Sequence, residues 1–272
     1  MSTTSRASRR AQYPAEVAVA QADAIAVAEV VSWDMADRNS GRAILRIDKV
    51  LRGEVPTGTL ELSMDGDHRK VGDRLLVHLA LRSGTWSGLR DGTAIHTDAL
   101  EAERVAQIAV AADWSKEASG WKATIAVTPY KATVGDEIDA YVIYRNVSDE
   151  LQSFSYREWP PESHCKWTLQ VSRDGEPIGP KPHPHLTPEE IADYFSKHGH
   201  QFEIELKPGE TFAFPLQRIN SAEAGWGYKQ RIGFQYWPLE SAGTYSVGAV
   251  DSGFPGREAL VIPVGSVTLE AN

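Results

Sequence analysis

The chain has 272 residues, which at roughly 100–200 residues per domain favours two domains. Apolar residues make up 42% and charged residues 24%, a balance that supports packed cores and excludes a disordered chain. The formal net charge is −9, with 12 basic and 17 acidic side chains in residues 14–118 and 13 and 20 in residues 119–272, so both parts repel a polyphosphate backbone and a nucleic-acid partner is disfavoured.

Residues 1–13 carry Arg6, Arg9 and Arg10 with no acid and read as a disordered basic tail. No apolar h-region follows, because Glu16, Gln21 and Asp23 break the Ala/Val-rich stretch from Ala15. The sequence as written predicts a cytoplasmic protein, or an extracytoplasmic one if a leader has been removed. No stretch approaches the ~18 apolar residues of a membrane span. Cys165 is the single cysteine, which forbids an intramolecular disulfide.

Ala24 to Trp33 is β-branched and apolar, and Ala43, Leu45 and Ile47 alternate with polar positions, as do Leu60, Leu62 and Met64. Leu75 to Leu81 is apolar on both faces, as a central strand would be. Asp98 and Glu101 make a capping-box-like start, and Leu100, Val105, Ile108 and Ala112 recur at helical spacing, predicting a helix over 98–117. Ser119-Gly120 follows and marks the boundary between a first domain, 14–118, and a second, 119–272. In the second, Ile138, Ala140, Val142 and Tyr144 alternate, turns stand at Asp174-Gly175 and Pro208-Gly209, and at least seven strands predict a β-sandwich. The fold class is mostly β: a small barrel with one C-terminal helix, then a sandwich.

The first domain resembles the bacterial OB-like barrels related to netrin and tissue-inhibitor modules, through 22–30 (Ala-Asp-Ala-Ile-Ala-Val-Ala-Glu-Val), Val50-Leu51-Arg52-Gly53 and 70–76 (Lys-Val-Gly-Asp-Arg-Leu-Leu). Inhibitors of that type reach a metal with an N-terminal cysteine, which this sequence lacks, so the resemblance does not carry that mechanism. The second domain is similar to immunoglobulin-like domains, including those of the bacterial intracellular proteinase-inhibitor family. The matching pieces are 145–150, Asp174-Gly175, 206–211 and 242–247. Domains of both types are usually non-catalytic and mediate contacts, so the resemblance implies a fold and a mode of use rather than a reaction.

Five histidines fall between positions 164 and 200. His164 adjoins Cys165, and His183-Pro184-His185 and His198-Gly199-His200 are His-x-His pairs whose rings share a face in an extended segment, a pattern that suits Zn²⁺ or Cu²⁺. Glu189, Glu190 and Asp193 stand ready to complete a shell. A polar, Pro-rich loop with exposed histidines explains the same residues, since no standard zinc spacing is present. Trp226, Tyr228, Phe234, Tyr236 and Trp237, with Lys229 and Arg231 among them, form either an aromatic platform for a partner or a core strand. Asp34, Asp37 and Asn39, and Asp65 to His68, read as turn residues rather than calcium loops. Asn146-Val147-Ser148 has the glycosylation sequon but reads more simply as a strand end. No catalytic motif or cofactor fingerprint is present. The expectation is a non-enzymatic, adaptor-like or inhibitor-like binding protein with a protein partner, the alternative being a transition-metal-binding protein.

Overall fold

A computed structural model describes residues 14–35, 40–65, 70–82, 84–89, 94–96, 113–157, 167–182, 187, 189–190, 193, 201–220, 235–251 and 260–271. The described chain is mostly β. It opens with a short helix, α1 (Ala15–Gln21), and continues into an antiparallel sheet of six strands. These are β1 (Ala24–Met35), β2 (Ser40–Arg52), β3 (Thr59–Asp65), β4 (Arg74–Arg82), β5 (Thr85–Gly88) and β6 (Ala94–His96), ordered β3-β2-β1-β4-β5 with β6 also on β4. Both β5 and β6 fit on one strand because β5 takes Leu79 to Arg82 and β6 takes Leu75 to Val77.

One face of this sheet is lined by small residues on β1 and β2 (Ala24, Ala26, Ala28, Ala43) and by larger ones on β3 and β4 (Leu60, Leu62, Leu75, Val77, Leu79). Small side chains on the central strand, with register breaks at Ile25/Ala26, Val27/Ala28 and Val30/Ser32, let the sheet coil. Trp86 on β5 therefore packs against the same core as Leu60 on β3. The expected barrel does not close, however. β3 and β5 come near one another, but no ladder joins them among the described residues. β5 has only four residues, and all four pair with β4.

β4 is apolar on both faces, as its sequence predicts. Leu75, Val77 and Leu79 enter the core just described, while Leu76 and Ala80 belong to a second cluster with Ile25 and Val27. The helix expected over 98–117 lies outside the described residues up to 112. Residues 113–117 are described and are not helical. Ser115 N–H donates to the Ala123 carbonyl at 2.8 Å, and Ala123 N–H donates to Ser115 Oγ at 2.9 Å. Aspartate and serine compete for backbone groups and favour such an edge over a helix.

The rest of the chain builds two facing sheets. The first holds β7 (Trp121–Thr128), β9 (Asp139–Asn146) and β15 (Thr211–Arg218), ordered β15-β9-β7. The second holds β8 (Lys131–Thr133), β11 (Trp167–Arg173), β12 (Glu176–Ile178), β17 (Gly243–Asp251) and β18 (Leu260–Glu270), ordered β12-β11-β17-β18-β8. Two ribbons flank them: β10 (Gln152–Arg157) with β14 (Gln201–Leu206), and β13 (Lys181–Pro182) with β16 (Gln235–Tyr236). Among the described strands only β8 runs parallel to its neighbour, β18, and because β7 pairs with β9 in the other sheet the chain changes sheet between β7 and β8.

A single core fills the space between these sheets, with Ile125, Val142 and Phe214 from one and Tyr245, Val247 and Val267 from the other. Tyr144 stands edge-on to Trp121 and Phe214, with ring centroids 6.3 Å and 5.7 Å away. Its hydroxyl donates to the buried Asp251 carboxylate at 2.7 Å, joining β9 to β17 across the core. At the start of β17 the Tyr245 hydroxyl donates to the Ser241 carbonyl at 2.7 Å.

Candidate functional site

A group of hydrogen-bonded polar side chains sits where α1 meets both β units. A seven-residue helix has little stability of its own, so α1 exists because of what it packs against. Every residue from Glu16 to Gln21 is buried, which means the helix is covered on all sides. Val19, with Ala22 beyond the helix end, packs on Ile25, Val27, Leu76 and Ala80 of the N-terminal sheet. Val17 and Ala20 pack on Ala126, Ile143 and Ala213 of the β15-β9-β7 sheet. The helix is a wedge between two β units, with an apolar face for each.

Polar clasps fix the wedge. Glu16 accepts from the Thr128 hydroxyl at 3.1 Å and from Tyr130 N–H at 3.2 Å. Arg145 on β9 donates from Nη1 to Asp23, where it forms an ion pair, and from Nη2 to the Gln21 carbonyl at 2.8 Å. Its guanidinium lies 4.4 Å from the centre of the Trp114 ring. The second oxygen of Asp23 accepts from Leu81 N–H at 2.9 Å. Arg52, at the end of β2, donates to the Val19 carbonyl at 2.6 Å. Burial first, and then the charge of Arg145, push Arg52 below the usual arginine range, while Asp23 and Asp113 pull it back. Gly53 sits beside this group at φ +68, its α-carbon so close to the chain that a Cβ would stand 2.2 Å from the Asp23 carbonyl. That fit explains a glycine after Arg52. A second, looser contact joins the units where Arg82 pairs with Glu210 at 3.7 Å.

His78 lies on the same side of β4 as Leu76 and Ala80, opposite Ile25, and is 0% exposed. Neither ring nitrogen has a hydrogen-bond partner. Burial lowers its pKa to about 4, so the ring is neutral at pH 7. The arrangement as a whole holds geometry. Both oxygens of Glu16 and both of Asp23 are engaged by protein donors, which leaves these carboxylates committed to the joint.

The residues singled out from the sequence fall differently. His164, Cys165, His183, His185, His198 and His200 lie outside the described residues, as do Trp226, Tyr228 and Phe234. Tyr236 is half-buried and pairs with Lys181. Trp237 is 4% exposed and belongs to the sandwich core, its N–H donating to the Ile219 carbonyl at 2.8 Å. It is a core residue rather than part of an exposed platform, and its odd position puts it out of phase with Tyr236. Glu189, Glu190 and Asp193 are helical, which corrects the loop reading at those positions. Thr187 N–H donates to the Glu190 carboxylate at 2.9 Å and Glu190 N–H to Thr187 Oγ1 at 3.2 Å, a reciprocal cap whose Thr-Pro-Glu-Glu signal stood in the sequence. That bond holds the Glu190 carboxyl below the usual range. Asn146 is fully buried and donates to the Glu150 and Leu206 carbonyls at 2.7 and 2.8 Å, so the sequon is a structural node. Among the described residues no group of three His, Cys, Asp or Glu side chains is placed to hold a metal ion. No described helix is long and apolar enough to cross a membrane.

The joint itself was missed at the sequence level. Arg145 and Asp23 are 122 positions apart, and nothing local marks either as the other's partner. No known protein family matches the chain, and no curated protein matches it.

Proposed function

We propose that the chain is a non-catalytic binding protein, adaptor-like or inhibitor-like, whose two β units present one composite surface to a protein partner. The observation that carries this reading is the wedge. Desolvating Glu16, Asp23, Arg52 and Arg145 at a joint contributes little net stability but strongly specifies geometry. A fixed orientation between two contact-making units matters when both touch the same partner. The N-terminal sheet also leaves Val31, Met35, Ile44 and Val71 exposed on β1, on β2 and in the turn before β4, apolar side chains suited to such a contact.

We further infer an OB-like first unit and an immunoglobulin-like second unit. For an OB-like first unit, the support is the order β3-β2-β1-β4-β5 with β3 and β5 brought near, the layout of a partly open five-stranded Greek-key barrel. For an immunoglobulin-like second unit, it is the sheet change between β7 and β8, the facing of β9 and β17, and the Tyr245 hydroxyl on a backbone carbonyl four residues upstream.

The test is affinity capture from a native lysate with wild type and with Arg145→Ala, both checked for folding by circular dichroism. A protein retained by wild type and lost or weakened with the variant supports the reading. Recovery of no protein, together with turnover of a substrate panel by the wild type, overturns it.

A further inference from the structure

We propose that His78 makes the contact between α1 and the N-terminal sheet acid-labile, so that this face of the wedge releases on acidification while the other stays on the C-terminal sheet. The placement of the ring is the ground for this. His78 is flanked on its strand by Leu76 and Ala80 and faced across the ladder by Ile25, and these three pack with Val19 and Ala22, Leu51, Leu89 and Tyr130. A proton on this ring would be a buried cation with no acceptor, which is costly, and α1 contributes Val19 to the cluster formed by the ring's neighbours, so lifting it opens that cluster to water. The other face of α1, where Val17 and Ala20 meet Ala126, Ile143 and Ala213, has no histidine among the described residues packed there.

The ionisable groups described at this joint include Glu16 on α1, Asp23 at the foot of β1, Arg52 on β2, Arg82 on β4, Asp113, Tyr130 after β7 and Arg145 on β9. Burial alone accounts for the depression of the His78 pKa, so none of these charges holds or expels the proton. The sign follows directly. The ring has a pKa of about 4 when closed and the ordinary 6.5 when exposed, so the open form binds the proton more tightly. The closed form is favoured above pH 6.5 and loses up to tenfold per pH unit below it, roughly 150-fold by pH 4 and about 300-fold in the limit at lower pH.

The experiment compares wild type with His78→Leu, which fills the same apolar site without titrating. Urea-unfolding equilibrium constants are measured from pH 7 to pH 4. Glu16 and Asp23 are present in both proteins and cancel in the comparison. The expected result is that the wild type loses up to roughly 100-fold relative to the variant across that range. Parallel profiles overturn the proposal. Methyl resonances of the wild type supply an independent readout if the variant fails to fold. Val19 and Ala22 shift at a higher pH than Val247 and Val267 of the sandwich core if the wedge releases first. Simultaneous shifts, or a His78 ring that titrates near 6.5 in the native chain, overturn the proposal.

Discussion

The guanidinium of Arg145 lies 4.4 Å over the ring of Trp114, and from that position one edge of it reaches both Asp23 and the Gln21 carbonyl. Three segments far apart in sequence thus meet on one side chain. Arg145→Ala removes the donors of a carboxylate and a carbonyl that are mostly out of solvent, and is expected to cost about 2–3 kcal/mol by urea denaturation. Arg145→Lys keeps the charge but loses the flat stack and the fork, and recovers less than half of that loss.

Asn146→Ala leaves the Glu150 and Leu206 carbonyls without their donor and deprives Ser148 of its acceptor. The expected destabilisation is about 3 kcal/mol in thermal or chemical denaturation. Asn146→Asp is worse, since it removes both donated bonds and buries a charge.

Gly53→Ala tests the packing beside the joint. Its φ of +68 is costly for any L side chain, and the added carbon would stand 2.2 Å from the Asp23 carbonyl. The expected loss is about 3 kcal/mol or more, with movement of Asp23 away from Arg145. Gly58→Ala, at φ +100 with nothing within 4 Å, is the control and costs about 1 kcal/mol through backbone strain alone.

Limited proteolysis separates two possible boundaries. The sequence places one near Gly120, yet Ser115 is hydrogen-bonded to Ala123 and Trp121 is buried. We expect stable C-terminal fragments to begin upstream of Asp113. A fragment that begins at Trp121 and unfolds as cooperatively as one containing 113–120 would contradict this placement.

The parts of the fold that were legible are those decided by local period. Ile138, Ala140, Val142 and Tyr144 alternate because one face of β9 meets the core, and Leu75 to Ala80 is continuous because β4 is covered twice. What was illegible depends on distant chain. In α1, Val17 and Val19 read as alternation, and only the two sheets on either side make those residues helical. Barrel closure turned on the length of β5, which four residues, Thr85 to Gly88, do not advertise. His78 is one polar residue in an apolar run, but its lack of a partner is a property of the packed joint. The Thr187–Glu190 cap is local, a threonine followed three residues later by a glutamate, and is legible from those residues alone.

In the proposed function α1 locks the two β units in one orientation. Val71 in the turn before β4 and Val261 on β18 are 67% and 71% exposed, one in each unit, and suit spin labels. With Cys165→Ser to remove the native thiol, Val71→Cys and Val261→Cys carry the labels for a pulsed dipolar distance measurement at pH 7. One narrow distance distribution is expected, which broadens when Arg145→Ala is added. A broad or multiple distribution in the protein with Arg145 intact would contradict it.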